Sequence, residues 1–133
     1  MIDGSAAPSC ALDASALLAT VHREPGAEVV RQHLEDAVIS AVNWAEVVQK
    51  ALARGADVQQ MRAYIDSLRV LIVPFDADAA DAAARLWTET RRAGLSLADR
   101  CCLVLAGRLG IPALTTDRAW AQLAIGVDIR VIR

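Results

Sequence analysis

The chain is poor in lysine, poor in cysteine and free of long apolar runs, and each shortage excludes something. Lys50 is the only lysine; the other thirteen of the fourteen basic residues are arginine. A phospho-receiver domain, which needs a lysine late in the chain, is therefore excluded. Cys10, Cys101 and Cys102 are odd in number and two are adjacent, a poor disulfide framework. That usage points to a reducing compartment, the cytoplasm. There is no C-x-x-C pair, and His22 and His33 are too far apart for a helical metal pair, so a zinc site is a poor fit. No apolar run reaches the ~18 residues needed to span a bilayer. The first ten residues lack the basic start and apolar stretch of a signal peptide. No membrane partner is expected. A P-loop and a G-x-G-x-x-G are both absent, which argues against a nucleotide-binding module. The net charge of -2 supplies no global basic field for nucleic acid, leaving only local patches. Arginine suits bidentate phosphate contacts, although a coding bias toward Ala and Arg explains its excess equally well.

What is present fits one small α/β domain. A length of 133 residues suits one core. The hydrophobic share of 55% is above the usual value, leaving apolar surface for a homodimer or a partner interface. Short apolar runs alternate with longer amphipathic ones, as in a parallel sheet. Strands are expected near Cys10–Leu12, Val38–Ile39, Val70–Val73, Ala113–Thr115 and Ile129–Ile132. Helices are expected near Ala14–Val21, Ala27–Glu35, Ala41–Arg54, Val58–Leu68, Ala77–Ala93, Leu97–Leu109 and Arg118–Leu123. Ser40, Asp76 and Ser96 stand where helices should start, and Gly55, Gly94 and Gly110 where they should stop. Residues 10–133 read as the domain and residues 1–9 as a flexible extension. Asp3 echoes Asp13 (Ile2-Asp3-Gly4-Ser5 against Leu12-Asp13-Ala14-Ser15), but only two residues precede it, too few for a buried strand.

Four acids lie among apolar neighbours near element ends. Asp13 closes the first strand and opens a helix. Asp117 follows the strand Ala113–Thr115, also before a helix. In an open parallel sheet, ligands bind beyond the carboxyl ends of strands. The ordinary job of Asp at such places is to cap the next helix. Asp99 has capping-box spacing from Ser96, yet its helix is apolar all round from Cys101 to Ala106, which implies burial. Glu46 is spaced for an i,i+4 pair with Lys50, and it stacks above Val42 and Asn43 on a face that could turn inward. Converging carboxylates repel unless protonated or bridged by a cation. All-oxygen donors suit Mg²⁺ or Mn²⁺, and such a cluster fits phosphodiester hydrolysis. Ser15 and Thr115 sit two residues from Asp13 and Asp117, where their hydroxyls could hold carboxylates or serve only as turn and strand hydroxyls.

These segments also carry a resemblance. Leu12-Asp13-Ala14-Ser15-Ala16-Leu17-Leu18, Ser40-Ala41-Val42-Asn43-Trp44-Ala45-Glu46-Val47, Gly94-Leu95-Ser96-Leu97-Ala98-Asp99-Arg100 and Leu114-Thr115-Thr116-Asp117-Arg118-Ala119-Trp120 resemble the PIN-domain family. They are similar to the VapC-type toxins of bacterial toxin–antitoxin pairs, in family order, from about Leu12 to the C-terminus. The resemblance implies a three-layer α/β/α sandwich with a central, mostly parallel sheet. It implies a Mg²⁺- or Mn²⁺-dependent endoribonuclease acting on structured RNA such as tRNA or rRNA, and a cognate antitoxin that blocks the acid pocket in a hetero-oligomer. Asp13, Glu46, Asp99 and Asp117 match the family's acidic positions, Ser15 and Thr115 its supporting hydroxyls, and Asn43 a neighbouring polar position.

On this reading Asp13 and Asp99 are the main metal ligands, Asp117 is shared or reached through water, and Glu46 acts through water or on a second ion. Arg100 and Arg118 each follow a site acid and are candidate RNA contacts, against structural ion pairs or solvated charges. Trp44, Trp87 and Trp120 read as core or interface anchors before base-stacking groups, with Trp120 beneath the site. Two alternatives stand beside the nuclease. One is a non-catalytic PIN-like module that binds RNA or a partner protein; the other is a different acidic-pocket phosphohydrolase. A haloacid-dehalogenase-like enzyme wants Asp-x-Asp at the first strand, where Ser15 takes the second position.

Overall fold

A computed structural model of the chain describes residues 7–133. The strands are β1 (Cys10–Leu12), β2 (Ala37–Ser40), β3 (Leu71–Val73), β4 (Ala113–Thr115) and β5 (Ile129–Val131). The helices are α1 (Ala14–Val21), α2 (Ala27–Arg31), α3 (Ala41–Ala53), α4 (Val58–Ser67), α5 (Ala77–Arg85), α6 (Trp87–Thr90) and α7 (Leu97–Leu109). Short 3₁₀ turns cover Leu34–Asp36, Arg91–Ala93 and Arg118–Gln122.

The sheet order is β3-β2-β1-β4-β5 and every pairing is parallel. Parallel strands need crossovers, and the helices that make them cover both faces. Strand alternation splits the core accordingly. Leu12 and Ile39 pack with Leu17, Val47 and Ile65 on one face. Ala11, Val38 and Ala113 pack with Cys102, Leu103 and Trp120 on the other. The result is the expected three-layer α/β/α sandwich. The chain leaves β1 toward β2 and β3, then crosses back to β4 on the other side of β1. The topological switch point therefore falls between β1 and β4, and a ligand crevice belongs at their carboxyl ends.

The start and stop signals hold. Ser40, Asp76 and Ser96 each accept a backbone N–H at the head of α3, α5 and α7. Gly55, Gly94 and Gly110 take positive φ, a conformation that favours glycine. Two expected helices are broken. The stretch Ala27–Glu35 is helical only to Arg31 and tightens into the 3₁₀ turn Leu34–Asp36. The stretch Ala77–Ala93 divides at Leu86 into α5, α6 and the turn Arg91–Ala93. There Glu89 N–H bonds the Leu86 carbonyl three residues back, and the Thr90 hydroxyl donates to the same carbonyl at 2.7 Å. Such tightening ends regular α-helix. The 3₁₀ turn Arg118–Gln122 likewise replaces an expected α-helix.

Trp44 and Trp120 are buried, but Trp87 is 51% exposed, with the Arg91 guanidinium 5.0 Å over its ring. Trp87 is thus no core anchor. Ser9, placed in the extension by sequence, donates its N–H to the Asp36 carbonyl at 2.9 Å. Asp3 lies outside the described residues. No helix among the described residues is long and apolar enough to cross a membrane.

Candidate active site

The register of β1 on β4 pairs Leu12 with Leu114. One residue further on, Asp13 stands opposite Thr115, and Asp13 N–H donates to the Leu114 carbonyl at 3.2 Å. The site thus begins at the switch point. Asp13 is 4% exposed, and both its carboxylate oxygens are engaged. Oδ1 accepts from Ser15 Oγ at 2.7 Å and from Ala16 N–H at 2.8 Å. Oδ2 accepts from Thr115 Oγ1 at 2.5 Å. Capping and site-building are thus the same contact set: the Ala16 bond starts α1, and the two hydroxyls fix the carboxylate plane.

The loop after β4 is locked to α1 through backbone. Thr116 N–H donates to Ser15 Oγ at 3.0 Å, and Asp117 N–H to Thr115 Oγ1 at 3.0 Å. The Thr116 contact had no signal in the sequence, because it is made by main chain and any residue but proline could make it. Asp117 is exposed, and its Oδ1 caps the following turn through Ala119 N–H at 2.9 Å.

Asp99 reaches the site from α7. A full capping box holds the helix start: Ser96 Oγ accepts Asp99 N–H at 3.1 Å and Asp99 Oδ2 accepts Ser96 N–H at 2.9 Å. Asn43, fully buried on α3, donates its Nδ2 to the Ala98 carbonyl at 2.9 Å. That bond ties the first turn of α7 to the first turn of α3. Glu46, one turn further along α3, is partly exposed and stands 3.9 Å from Lys50 Nζ.

The electrostatics mark Asp13. Burial pushes its pKa up to about 6; the bonds from Thr115, Ser15 and Ala16 oppose the rise, and the Asp99 charge adds to it. The Cys102 thiol is pushed up first by burial, then by the charges of Asp13 and Asp99. Cys102 thus lies beneath both acids as a neutral thiol and is no nucleophile. Trp120, fully buried among Cys102, Leu103 and Ala113, backs the same floor.

The four acids do not converge equally. Among the described residues, no three Asp, Glu, His or Cys side chains come together at metal-holding spacing. The nucleus is a pair, Asp13 and Asp99, close enough for one charge to raise the pKa of the other. Asp117 is joined to the pair through Thr115, and Glu46 leans to Lys50. Such a set still fits a small hard cation. All its donors are oxygen, and Mg²⁺ is commonly held by one or two carboxylates while keeping several waters. A cation there would also relieve the charge cost on Asp13.

The two arginines part company. Arg100 is 9% exposed and donates Nη1 to the Ala83 carbonyl at 2.9 Å, tying α7 to α5. That corrects its candidacy as an RNA contact: its guanidinium points into the domain. Arg118 is exposed and donates Nε to the Arg133 carbonyl at 3.4 Å.

The family model described as PIN domain matches residues 10–126. No curated protein is similar enough in sequence to count as a relative. Several solved structures share the fold. The DNA-bound VapBC of Salmonella typhimurium is 19% identical with a TM-score of 0.70, over 92% of this chain and 97% of that one. A toxin–antitoxin complex from Klebsiella pneumoniae is 20% identical with a TM-score of 0.72, over 91% and 100%. VapC20 of Mycobacterium tuberculosis, described as a sarcin–ricin loop cleaving toxin, is 18% identical with a TM-score of 0.69, over 90% and 99%.

Proposed function

The chain belongs to the PIN-domain family, and from that premise we propose that it is a metal-dependent endoribonuclease acting as the toxin of a toxin–antitoxin pair. The observation that carries the chemistry is the buried Asp13 carboxylate, held by two hydroxyls and an N–H, with Asp99 as its charged neighbour. Structured RNA (tRNA or rRNA) is the proposed substrate, supported by the description of VapC20. A cognate antitoxin is the proposed partner, in a hetero-oligomer built on a toxin homodimer, supported by complexes such as the Salmonella and Klebsiella ones. The cytoplasm is the proposed location.

Asp13 and Asp99 would hold Mg²⁺ or Mn²⁺ directly, with Asp117 and Glu46 reaching it through water. The cation would activate water and offset charge on the phosphate in an in-line hydrolysis. Each residue then has a task. Ser15 and Thr115 keep both Asp13 oxygens aimed. Asn43 fixes the start of α7 and so the place of Asp99. The neutral Cys102 and buried Trp120 close the floor against water. Arg118, exposed beside Asp117, would meet RNA phosphate.

The test is cleavage of RNA by purified protein with Mg²⁺, with EDTA, and after Asp13→Asn. Loss of cleavage in the last two, with products carrying a 5′-phosphate and a 3′-hydroxyl, is the expected result. A 2′,3′-cyclic phosphate would sink the proposal. A second reading, a non-catalytic RNA- or protein-binding module, is favoured by one observation: Asp13, Asp99 and Asp117 all cap their own helices or turns. RNA retention with no metal-dependent cleavage would select it.

A further inference from the structure

Beside the acid pair, a cleft of about 390 Å³ runs between α1 and the C-terminal half of α3. Ser15 lines it, and Ser15 Oγ is the group that donates to Asp13 Oδ1. Ser15 is thus shared between the cleft and the acid site. Its wall continues the row that starts at Glu46 on α3: Lys50 follows four residues on, and Arg54, the residue that caps the helix end, four more. From Glu46 to Arg54 that row covers roughly 12 Å of helix, a few steps of a stacked nucleic-acid strand at ~3.4 Å each.

The charge of this cleft opposes that of the whole chain. Lys50, Arg54 and Arg133 against Glu24 leave three cations and one anion, a formal +2, on a protein of net -2. The cations are loosely engaged. Lys50 is 3.9 Å from Glu46 and Arg133 is 3.9 Å from Glu24, while Arg54 has no ion pair among the described residues. Leu18 and Ala53 supply an apolar surface between them, and the His22 imidazole is the one ring in the lining. With three cations to one anion, the cleft is suited first to the repeated negative charge of a sugar-phosphate backbone.

We propose that this cleft carries the RNA strand away from the acid site, Lys50 and Arg54 binding the phosphodiesters next to the scissile one. The proposal rests on the ribonuclease reading and gives that site its polarity: acids at the cut, cations along the exit. The shared Ser15, bonded to Asp13, favours a nucleic-acid strand over an acidic segment of a partner protein. Contacts made to phosphate alone carry no sequence preference, so their loss should weaken all RNAs alike.

The experiment is fluorescence anisotropy of a labelled single-stranded RNA on full-length Asp13→Asn protein in Mg²⁺, across a KCl series. Arg54→Ala, Lys50→Gln and the double variant are compared in that background. A 3- to 10-fold weakening per substitution is expected, alike for RNAs of different sequence. The log–log salt slope should fall by ~0.7 per lost phosphate contact. Unchanged affinity and slope in variants with unchanged circular dichroism and melting would overturn the proposal. So would an equal weakening of labelled poly-glutamate, which would assign the cleft to an acidic peptide. The two readings fail separately. If Asp13-intact protein cleaves RNA while Arg54→Ala changes neither binding nor cleavage, the cleft is wrong and the nuclease stands. If that protein does not cleave while Arg54→Ala weakens RNA binding, the cleft stands and the nuclease does not.

Discussion

Thr115 and Asp13 lie 102 residues apart, yet Thr115 Oγ1 donates to Asp13 Oδ2 at 2.5 Å in the buried crevice between β1 and β4. The same hydroxyl accepts Asp117 N–H at 3.0 Å. A hydroxyl has one proton, and here it is committed to the carboxylate. Thr115→Val keeps the shape and removes both bonds. Partners that orient a metal-binding carboxylate are typically worth 10- to 100-fold in affinity or activity. A drop of that size in RNA cleavage is expected, with a stability loss of about 1–3 kcal/mol from the buried acceptor left unpaired. Thr115→Ser should restore most of both; cleavage rates and chemical denaturation of the two variants check it.

Asp13 also sets a pH dependence of stability. Its carboxyl titrates near 6 in the fold, against an ordinary aspartate value of 3.8. Between those values the folded state holds a proton that the unfolded state has released, so stability falls as pH rises. In EDTA the loss should run from about pH 4 to about pH 6 and total roughly 3 kcal/mol. The fall should be missing in Asp13→Asn. Urea titrations at several pH values measure it, and an equal fall in the variant would place the cause elsewhere.

Asn43 links α3, which carries Glu46, to α7, which carries Asp99. Its Nδ2 bonds the Ala98 carbonyl, while its Oδ1 is buried without a partner. Asn43→Ala should lower stability by about 1–3 kcal/mol. Because the lost bond sits at the start of α7, it should also weaken Mg²⁺ binding through Asp99. Calorimetry of metal binding separates that effect from simple destabilisation, which would leave the dissociation constant unchanged.

Arg100 illustrates what the sequence could and could not disclose. The box Ser96/Asp99 and Gly110 bracket α7 at Leu97–Leu109 in sequence as in structure, because capping chemistry is local. The candidate site is legible for the same reason: Asp13, Asp99 and Asp117 announce themselves as acids at element ends. Their ranking was only partly legible, since whether Asp117 or Glu46 turns inward depends on rotamers and on Lys50. The fate of Arg100 is decided by α5, a long way off in sequence, whose Ala83 carbonyl takes its Nη1. Likewise at the break the Leu86 carbonyl is shared between Glu89 N–H, Thr90 N–H and the Thr90 hydroxyl, a detail that periodicity, which reads one long helix, does not carry.

That placement makes Arg100 and Arg118 distinguishable. Arg100→Ala removes a buried bond between α7 and α5 and should destabilise the fold by about 1.5–3 kcal/mol. It should leave the salt slope of RNA binding unchanged. Arg118→Ala, at an exposed position, should leave stability within about 0.5 kcal/mol and lower RNA affinity. Thermal melts and anisotropy on the same two proteins decide the matter; the reverse pattern would return Arg100 to the RNA-facing surface.

The inequality among the four acids should appear most directly in metal-dependent stability. A ligand that binds only the folded state stabilises it by RT ln(1 + [L]/Kd), about 2.7 kcal/mol at a hundred times Kd. For a domain of this size that is a rise of roughly 10 °C in Tm. Mg²⁺ or Mn²⁺ should produce it in the unsubstituted protein and EDTA should reverse it. Asp13→Asn and Asp99→Asn should abolish the rise, because they break the pair that forms the nucleus of the site. Asp117→Asn and Glu46→Gln should retain most of it, since Asp117 caps a turn and Glu46 leans to Lys50. Asp13→Asn brings a second signature. With its buried charge gone, it should melt higher than the unsubstituted protein in EDTA at pH 8, while remaining inactive. A site built for charge in a desolvated crevice gives up stability to hold that charge, and a bound cation would restore it. Equal loss of the Mg²⁺ effect in all four variants would instead require the four carboxylates to close around the ion together.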